Sequence, residues 1–317
     1  MKTISLKSID QTGWLKLRRL GIGGSDVAAI LGLSKWKTPL DVYNDKVSTD
    51  EPTEIDNPSM EWGRRLEPLI LEKYNEVTGA SAVKPDVMFA SEERPFMVAN
   101  LDGLTPDGRV VEIKTARTAS GWGEEGTDEI PEYYATQVHH YLSVMGAAEC
   151  DVAVLIGASD FRVYTVKRDE ELIGMLVAEE EKFWRDHVEA RVPPAPRTLE
   201  EMAQAFPVSE PETREATDDI SETLQTIVQL EREIAEKKSE ADELRAKVEG
   251  FMEAAEGLSI DGVTAVTWKS SKPRVTVDTK ALQKDLPDIY KQYLKEGSPS
   301  RRFTIKQAYA DSVAQQL

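Results

Sequence analysis

The chain has 317 residues, 40% hydrophobic and 30% charged, and a formal net charge of −18. That balance suits a globular protein of about two domains, and no run reaches the roughly 18 consecutive apolar residues of a membrane-spanning helix. A single cysteine, Cys150, excludes an intrachain disulfide framework, and three histidines (His139, His140, His187) leave little from which to build a zinc site.

The N-terminal stretch lacks the apolar core of a secretory signal, so a cytoplasmic location is expected. Residues 10–31 read as two short helices joined by Gly21 to Gly24, with Ser25 or Asp26 capping the second. Residues 60–79 carry a longer helical pattern closed by Gly79. Apolar, β-leaning runs follow at 87–90, 96–101 and 110–113. Pro106, Asp107 and Gly108 mark a turn that predicts pairing of the last two runs as a hairpin. A helix over 131–146, strands at 151–156 and 162–166, and a helix over 170–189 complete a mixed α/β core flanked by helices.

Residues 1–192 are read as this core and residues 193–216, rich in Pro, Glu and Thr, as an exposed linker. Residues 217–317 form an appended, coiled-coil-like helical and small β region. Its helix repeats Ile220, Ile227, Ile234, Ala241 and Val248 every seven residues, with Leu230, Leu244 and Phe251 three positions after members of that series. Packing in an intrachain hairpin is expected, with pairing between chains as the alternative. Two β-leaning runs, 263–269 and 274–277, and a helix over 280–295 follow. Lys269, Lys272, Arg274, Lys280, Lys284, Arg301, Arg302 and Lys306 make this the more basic end of the chain.

The chemistry concentrates at Asp102 and at the strand carrying Glu112, Ile113 and Lys114. Alternation along a strand sends Glu112 and Lys114 to one face, and the preceding turn can return Asp102 beside them. Two carboxylates and an ammonium at one point suit phosphodiester hydrolysis. Hard oxygens hold Mg²⁺, which stabilises charge on the phosphate and lowers the pKa of water, while the lysine orients or deprotonates the attacking water. The negative net charge opposes indiscriminate DNA coating. Screening over about 8 Å still allows a local basic groove.

Other residues join the set. Glu67 stands four positions after Gly63, whose missing side chain clears the same helix face, and Gln137 and Tyr141 share a face of the following helix. Trp14 to Arg18, Gly23 to Asp26, Glu61 to Glu67, Asp102 with Gly103, Glu112 to Lys114 and Gln137 to Tyr141 occur in that order. In these motifs the chain resembles the λ-exonuclease/YqaJ family of phage recombination nucleases, within the PD-(D/E)xK superfamily, over about residues 10–190. Leu101 stands where the superfamily name has proline.

The resemblance implies a restriction-endonuclease-like mixed sheet, two Mg²⁺ ions for which Mn²⁺ substitutes, and removal of one strand of duplex DNA from its 5′ end. It makes Asp102, Glu112 and the Ile113 carbonyl metal ligands, with Glu67 assisting through a second metal or a water. Lys114 acts on the nucleophile, and Gln137 orients Glu112 or Lys114 or contacts DNA. Arg18 or Arg19, with Ser25 and Tyr141, binds the DNA and its 5′-phosphate. The implied partners are duplex DNA ends, a single-strand annealing protein and further copies of the chain, as in a ring-shaped trimer. Two alternatives stand beside it. One is an endonuclease or a nuclease of opposite polarity, and the other a catalytically idle binding or scaffold module assembling through the 220–251 seam.

Three features receive plainer readings. Trp14, Trp36 and Trp62 are expected to pack in the core, with wedging or stacking on bases as the alternative. His139 and His140 are expected at the helix surface or on DNA rather than on metal. The glycine- and acid-rich stretch 120–132 is expected to be a mobile loop near the site.

Overall fold

The computed structural model describes residues 1–52, 57–295, 297 and 300–314. It divides into two compact units, Met1–Arg197 and Thr198–Leu317, and the last three residues of the expected C-terminal region lie outside the described ones.

The first unit opens with β1 (Lys2–Ser5), α1 (Gln11–Arg19), β2 (Ile22–Gly23), α2 (Gly24–Ile30), α3 (Pro39–Val47) and α4 (Pro58–Thr78). Then come β3 (Val87–Ala90), β4 (Met97–Ala99), β5 (Gly103–Leu104) and β6 (Val110–Ala116). It ends with α5 (Glu132–Met145), β7 (Glu149–Ile156), β8 (Asp160–Lys167) and α6 (Glu170–Phe183), which runs into a π-helical turn, Trp184–Glu189. The strands form two four-stranded mixed sheets, ordered β1-β3-β4-β2 and β5-β6-β7-β8. The α/β class with helix-flanked sheets agrees with the sequence reading.

The expected hairpin is corrected in one respect. The run at 96–101 pairs with β3 and β2, and the strand that turns back onto β6 is the two-residue β5. The cap of α2 also differs. Gly23 precedes the helix, and the carboxylate of Asp26 accepts its N–H at 3.1 Å. The close of α4 is as read: Gly79 takes φ +70, and its N–H donates to the Asn75 carbonyl. The short β1 and α3 carry too little periodic pattern to be read from the sequence.

Strand β6 runs parallel to β7, with Glu112 beside Val152 and Lys114 beside Val154. Its odd-numbered side chains, Val111 and Ile113, pack with Ile70 and Tyr74 of α4. Val110, on the other face, packs with Val138, Tyr141 and Leu142 of α5. From Thr136 to Leu142 every residue of α5 is buried. A helix covered on all sides belongs inside the molecule, and its polar side chains must find partners there.

The second unit contains α7 (Leu199–Ala205), inside the segment read as a linker, and α8 (Asp218–Met252). It continues with β9 (Gly257–Ile260), β10 (Val263–Thr267), α9 (Thr279–Asp285), α10 (Pro287–Gln292) and α11 (Gln307–Ala314). The run at 274–277 is not a strand, and Pro287 divides the helix expected over 280–295. Ile220, Leu230, Ile234, Leu244 and Phe251 remain exposed, while Val228 and Met252 of α8 are buried. No helix among the described residues is long and apolar enough to cross a membrane.

Candidate active site

The site forms where β5 begins. Gly103 stands opposite Val111, which sets Asp102 just before the first paired residue. There its carboxylate accepts the Ile113 N–H at 2.9 Å. A strand residue directs its N–H and C=O to the same edge, so the Ile113 carbonyl also faces the Asp102 side. On the α5 side of β6, Glu112 is 2% exposed. It pairs with Lys114 and accepts the Gln137 side-chain amide at 2.6 Å. Lys114 donates to the Gln137 oxygen at 3.2 Å, and Gln137 donates to the Tyr141 hydroxyl at 3.1 Å. One glutamine thus contacts Glu112, Lys114 and Tyr141.

Charge is crowded here. Burial pushes the Asp102 pKa well up, and Glu112 and Glu67 add to it against the pull of Lys114 and the Ile113 N–H. Burial disfavours the Lys114 cation, yet Glu112 and Asp102 outweigh burial and raise its pKa, so the side chain is protonated at neutral pH. Burial, followed by the charges of Glu112 and Asp102, also holds Tyr141 neutral. The ring of Tyr134 lies 4.7 Å from the Lys114 Nζ and supplies a further cation contact.

No group of three or more His, Cys, Asp and Glu side chains placed to hold a metal occurs among the described residues. Mg²⁺ does not require one, because it keeps several waters and takes one or two carboxylates. Two crowded carboxylates with a main-chain carbonyl on the same edge are a hard-oxygen donor set that fits a divalent cation. Glu67 is near enough to raise the Asp102 pKa, but its carboxylate pairs with Lys84. A methyl group on Gly63 would meet only the Thr115 hydroxyl, at 3.9 Å, so the space this glycine leaves is not required by neighbouring atoms.

The two arginine candidates separate. Arg18 donates to the Ser25 hydroxyl at 3.0 Å and lies 5.0 Å from the centre of the Trp14 ring. Arg19 turns away to Asp45 and the Asp50 carbonyl. The glycines between these helices serve close packing. A Cβ on Gly21 would fall 2.5 Å from the Phe96 carbonyl, and one on Gly24 2.7 Å from the Tyr141 ring. Beneath them Lys46 pairs with Asp26 at 2.8 Å, both buried. Burial raises the Asp26 pKa, but Lys46, helped by Arg18 and Lys37, overrides it and holds the carboxyl well below its usual range.

Two expectations are corrected. His139 and His140 are buried rather than on the surface. His139 contacts the Ala135 carbonyl at 2.9 Å; His140 lies between Glu180 at 2.9 Å and the Val98 carbonyl at 2.9 Å. Trp36 and Trp62 are exposed rather than in the core. Sequence reasoning also missed Tyr134, although its place three residues before Gln137 on one helix was a usable signal. Nothing in the sequence pointed to Lys84.

Residues 13–148 match the profile of the YqaJ-like viral recombinase domain. The uncharacterized protein YqaJ of Bacillus subtilis (strain 168) is 34% identical over 307 residues, 93% of each chain. The chain belongs to the YqaJ-like family. Among solved structures, the alkaline exonuclease LHK-Exo of Laribacter hongkongensis matches with a TM-score of 0.47 and 18% identity, over 56% of this chain and 93% of that one. A phage-related exonuclease of Haemophilus somnus 129PT matches at 0.40 and 13%, over 56% and 99%. Within this YqaJ-like chain the Asp102–Glu112–Lys114–Gln137 cluster lies inside the matched domain.

Proposed function

We propose that this YqaJ-like protein is a Mg²⁺-dependent deoxyribonuclease that resects duplex ends from 5′ to 3′ and delivers the exposed strand to single-strand annealing recombination. The observation that carries the reading is the single hydrogen-bonded cluster of Asp102, Glu112, Lys114 and Gln137 at the open end of the β5–β6 ladder. Asp102, Glu112 and the Ile113 carbonyl hold the metal. Bound Mg²⁺ supplies charge stabilisation on the phosphate oxygens and acidifies water; Mn²⁺ takes its place. Glu67, released from Lys84, assists through a second ion or a water.

Lys114 enters as a cation. It directs its protons at the attacking water or at the oxygen that gains charge, a preorganised donor in a site shielded from solvent. Gln137 fixes Glu112 and Lys114 at once, so both keep their rotamers as substrate arrives. The exposed Ser25 hydroxyl and the Arg18 guanidinium, already in contact, take the terminal 5′-phosphate, for which an arginine offers paired donors. Tyr141 supports this arrangement from below. The partners are duplex DNA ends, an annealing protein and further copies of the chain, and the place of action is the cytoplasm.

A linear duplex labelled at either end, bearing a 5′-phosphate or a 5′-hydroxyl, tests the reading. Stepwise loss of the 5′ label, faster on the phosphate, is expected. Cleavage of circular DNA would move the assignment to an endonuclease, and stepwise loss of the 3′ label would reverse the polarity.

A further inference from the structure

A ladder of aromatic rings leads outward from Lys114. The Tyr134 ring lies against its ammonium, the Tyr133 ring is 4.3 Å from Tyr134, and Trp36 meets Tyr133 edge-on at 5.2 Å. The ladder ends in solvent, since Trp36 is 69% exposed. The indole belongs to a formed loop between α2 and α3, in which the Trp36 and Lys37 N–H groups both donate to the Ser34 hydroxyl at 3.2 Å. Lys35 and Lys37 flank it, both exposed, in a chain whose net charge is −18.

A large indole held in water, backed by a second ring and bracketed by two ammonium groups, matches the requirements of single-stranded nucleic acid. Bases stack on rings while cations track the backbone. Its continuity with Lys114 selects a strand that also reaches the catalytic cluster. We propose that Trp36, supported by Tyr133, stacks on an unpaired base of the DNA strand bound at that cluster, with Lys35 and Lys37 contacting its phosphates. This rests on the nuclease reading and adds to it a place where the duplex is already open.

Binding in Ca²⁺ of a 5′-phosphorylated duplex with a single-stranded overhang tests the idea, using full-length protein and overhangs with one abasic residue at each position in turn. In the parent chain, one abasic position should weaken binding by on the order of 5- to 150-fold. Trp36→Ala should lose that position's sensitivity while keeping the rest of the profile, and Trp36→Phe should keep it. An abasic profile in Trp36→Ala equal to that of the parent, or a flat profile in the parent, overturns the stacking assignment alone. A parent chain that binds no DNA overturns both this assignment and the nuclease reading.

Discussion

Gly24→Ala tests how tightly the first helices are coupled to the catalytic cluster. The backbone at Gly24 is helical, so alanine is conformationally acceptable and only space is at issue. Its methyl would stand 2.7 Å from Tyr141 Cε1, 2.8 Å from Gln137 Cγ and 2.9 Å from Tyr141 Cζ, against an optimum of about 3.5–4.0 Å between carbons. Overpacking of this kind costs about 1–3 kcal/mol, offset by up to about 1 kcal/mol from the helix propensity of alanine over glycine. With three contacts below 3.0 Å, taking the middle of that range, about 2 kcal/mol, leaves a net loss of about 1–2 kcal/mol, which lowers Tm by about 2–8 °C for a unit of this size.

The displaced side chains are those that hold Glu112 and Lys114, so kcat on a linear duplex should fall by about 10-fold or more. Thermal unfolding followed by circular dichroism, with steady-state digestion alongside, reads both effects. Combining the change with Tyr141→Ala should reveal a coupling above about 0.5 kcal/mol, because the two sites are in contact. Wild-type Tm and kcat in Gly24→Ala would refute the packing argument.

Lys46→Met leaves Asp26 buried without its cation and should cost about 3–5 kcal/mol in a denaturant titration. Because the folded pKa of Asp26 is depressed, its contribution is present above its ordinary value of 3.8 and is lost as pH falls through the folded value. The acid limb of stability should flatten in a variant lacking both charges. His140 has the opposite sign. Burial lowers its pKa, but Glu180 and the Val98 carbonyl raise it above 6.5, so its contribution is complete below that pH and is lost as pH rises through the folded value. His140→Gln should remove this alkaline loss in a Tm–pH series. Mg²⁺ at about 100 times its dissociation constant should add about 2.7 kcal/mol of stability, and Asp102→Asn should abolish the shift in a thermal scan.

The core of the candidate site was legible because it uses local geometry. Alternation along one strand puts Glu112 with Lys114, a turn returns Asp102, and helical spacing aligns Gln137 with Tyr141. What escaped depends on contacts distant in sequence. Arg18 and Arg19 are adjacent, and Asp45 and the Asp50 carbonyl, 26 and 31 positions after Arg19, decide which of them stays with Ser25. The strand at 97–99 carries the same alternation whichever sheet receives it, so local pattern could not choose β3 over β6. The histidines looked like surface residues because helical periodicity assigns one polar face, whereas α5 is covered all round and neutralises His140 with Glu180 from another helix. Trp36 was read as core by residue type, and its exposure followed only from where the loop between α2 and α3 lies.

The most direct test of the central claim is single-turnover digestion of a linear duplex by the wild type, Asp102→Asn and Lys114→Ala, each with Mg²⁺ and with EDTA. The account predicts cleavage by the wild type in Mg²⁺ only and losses of at least about 100-fold in both variants, each still folded by circular dichroism. Cleavage that persists in EDTA, or that survives both substitutions, would contradict it.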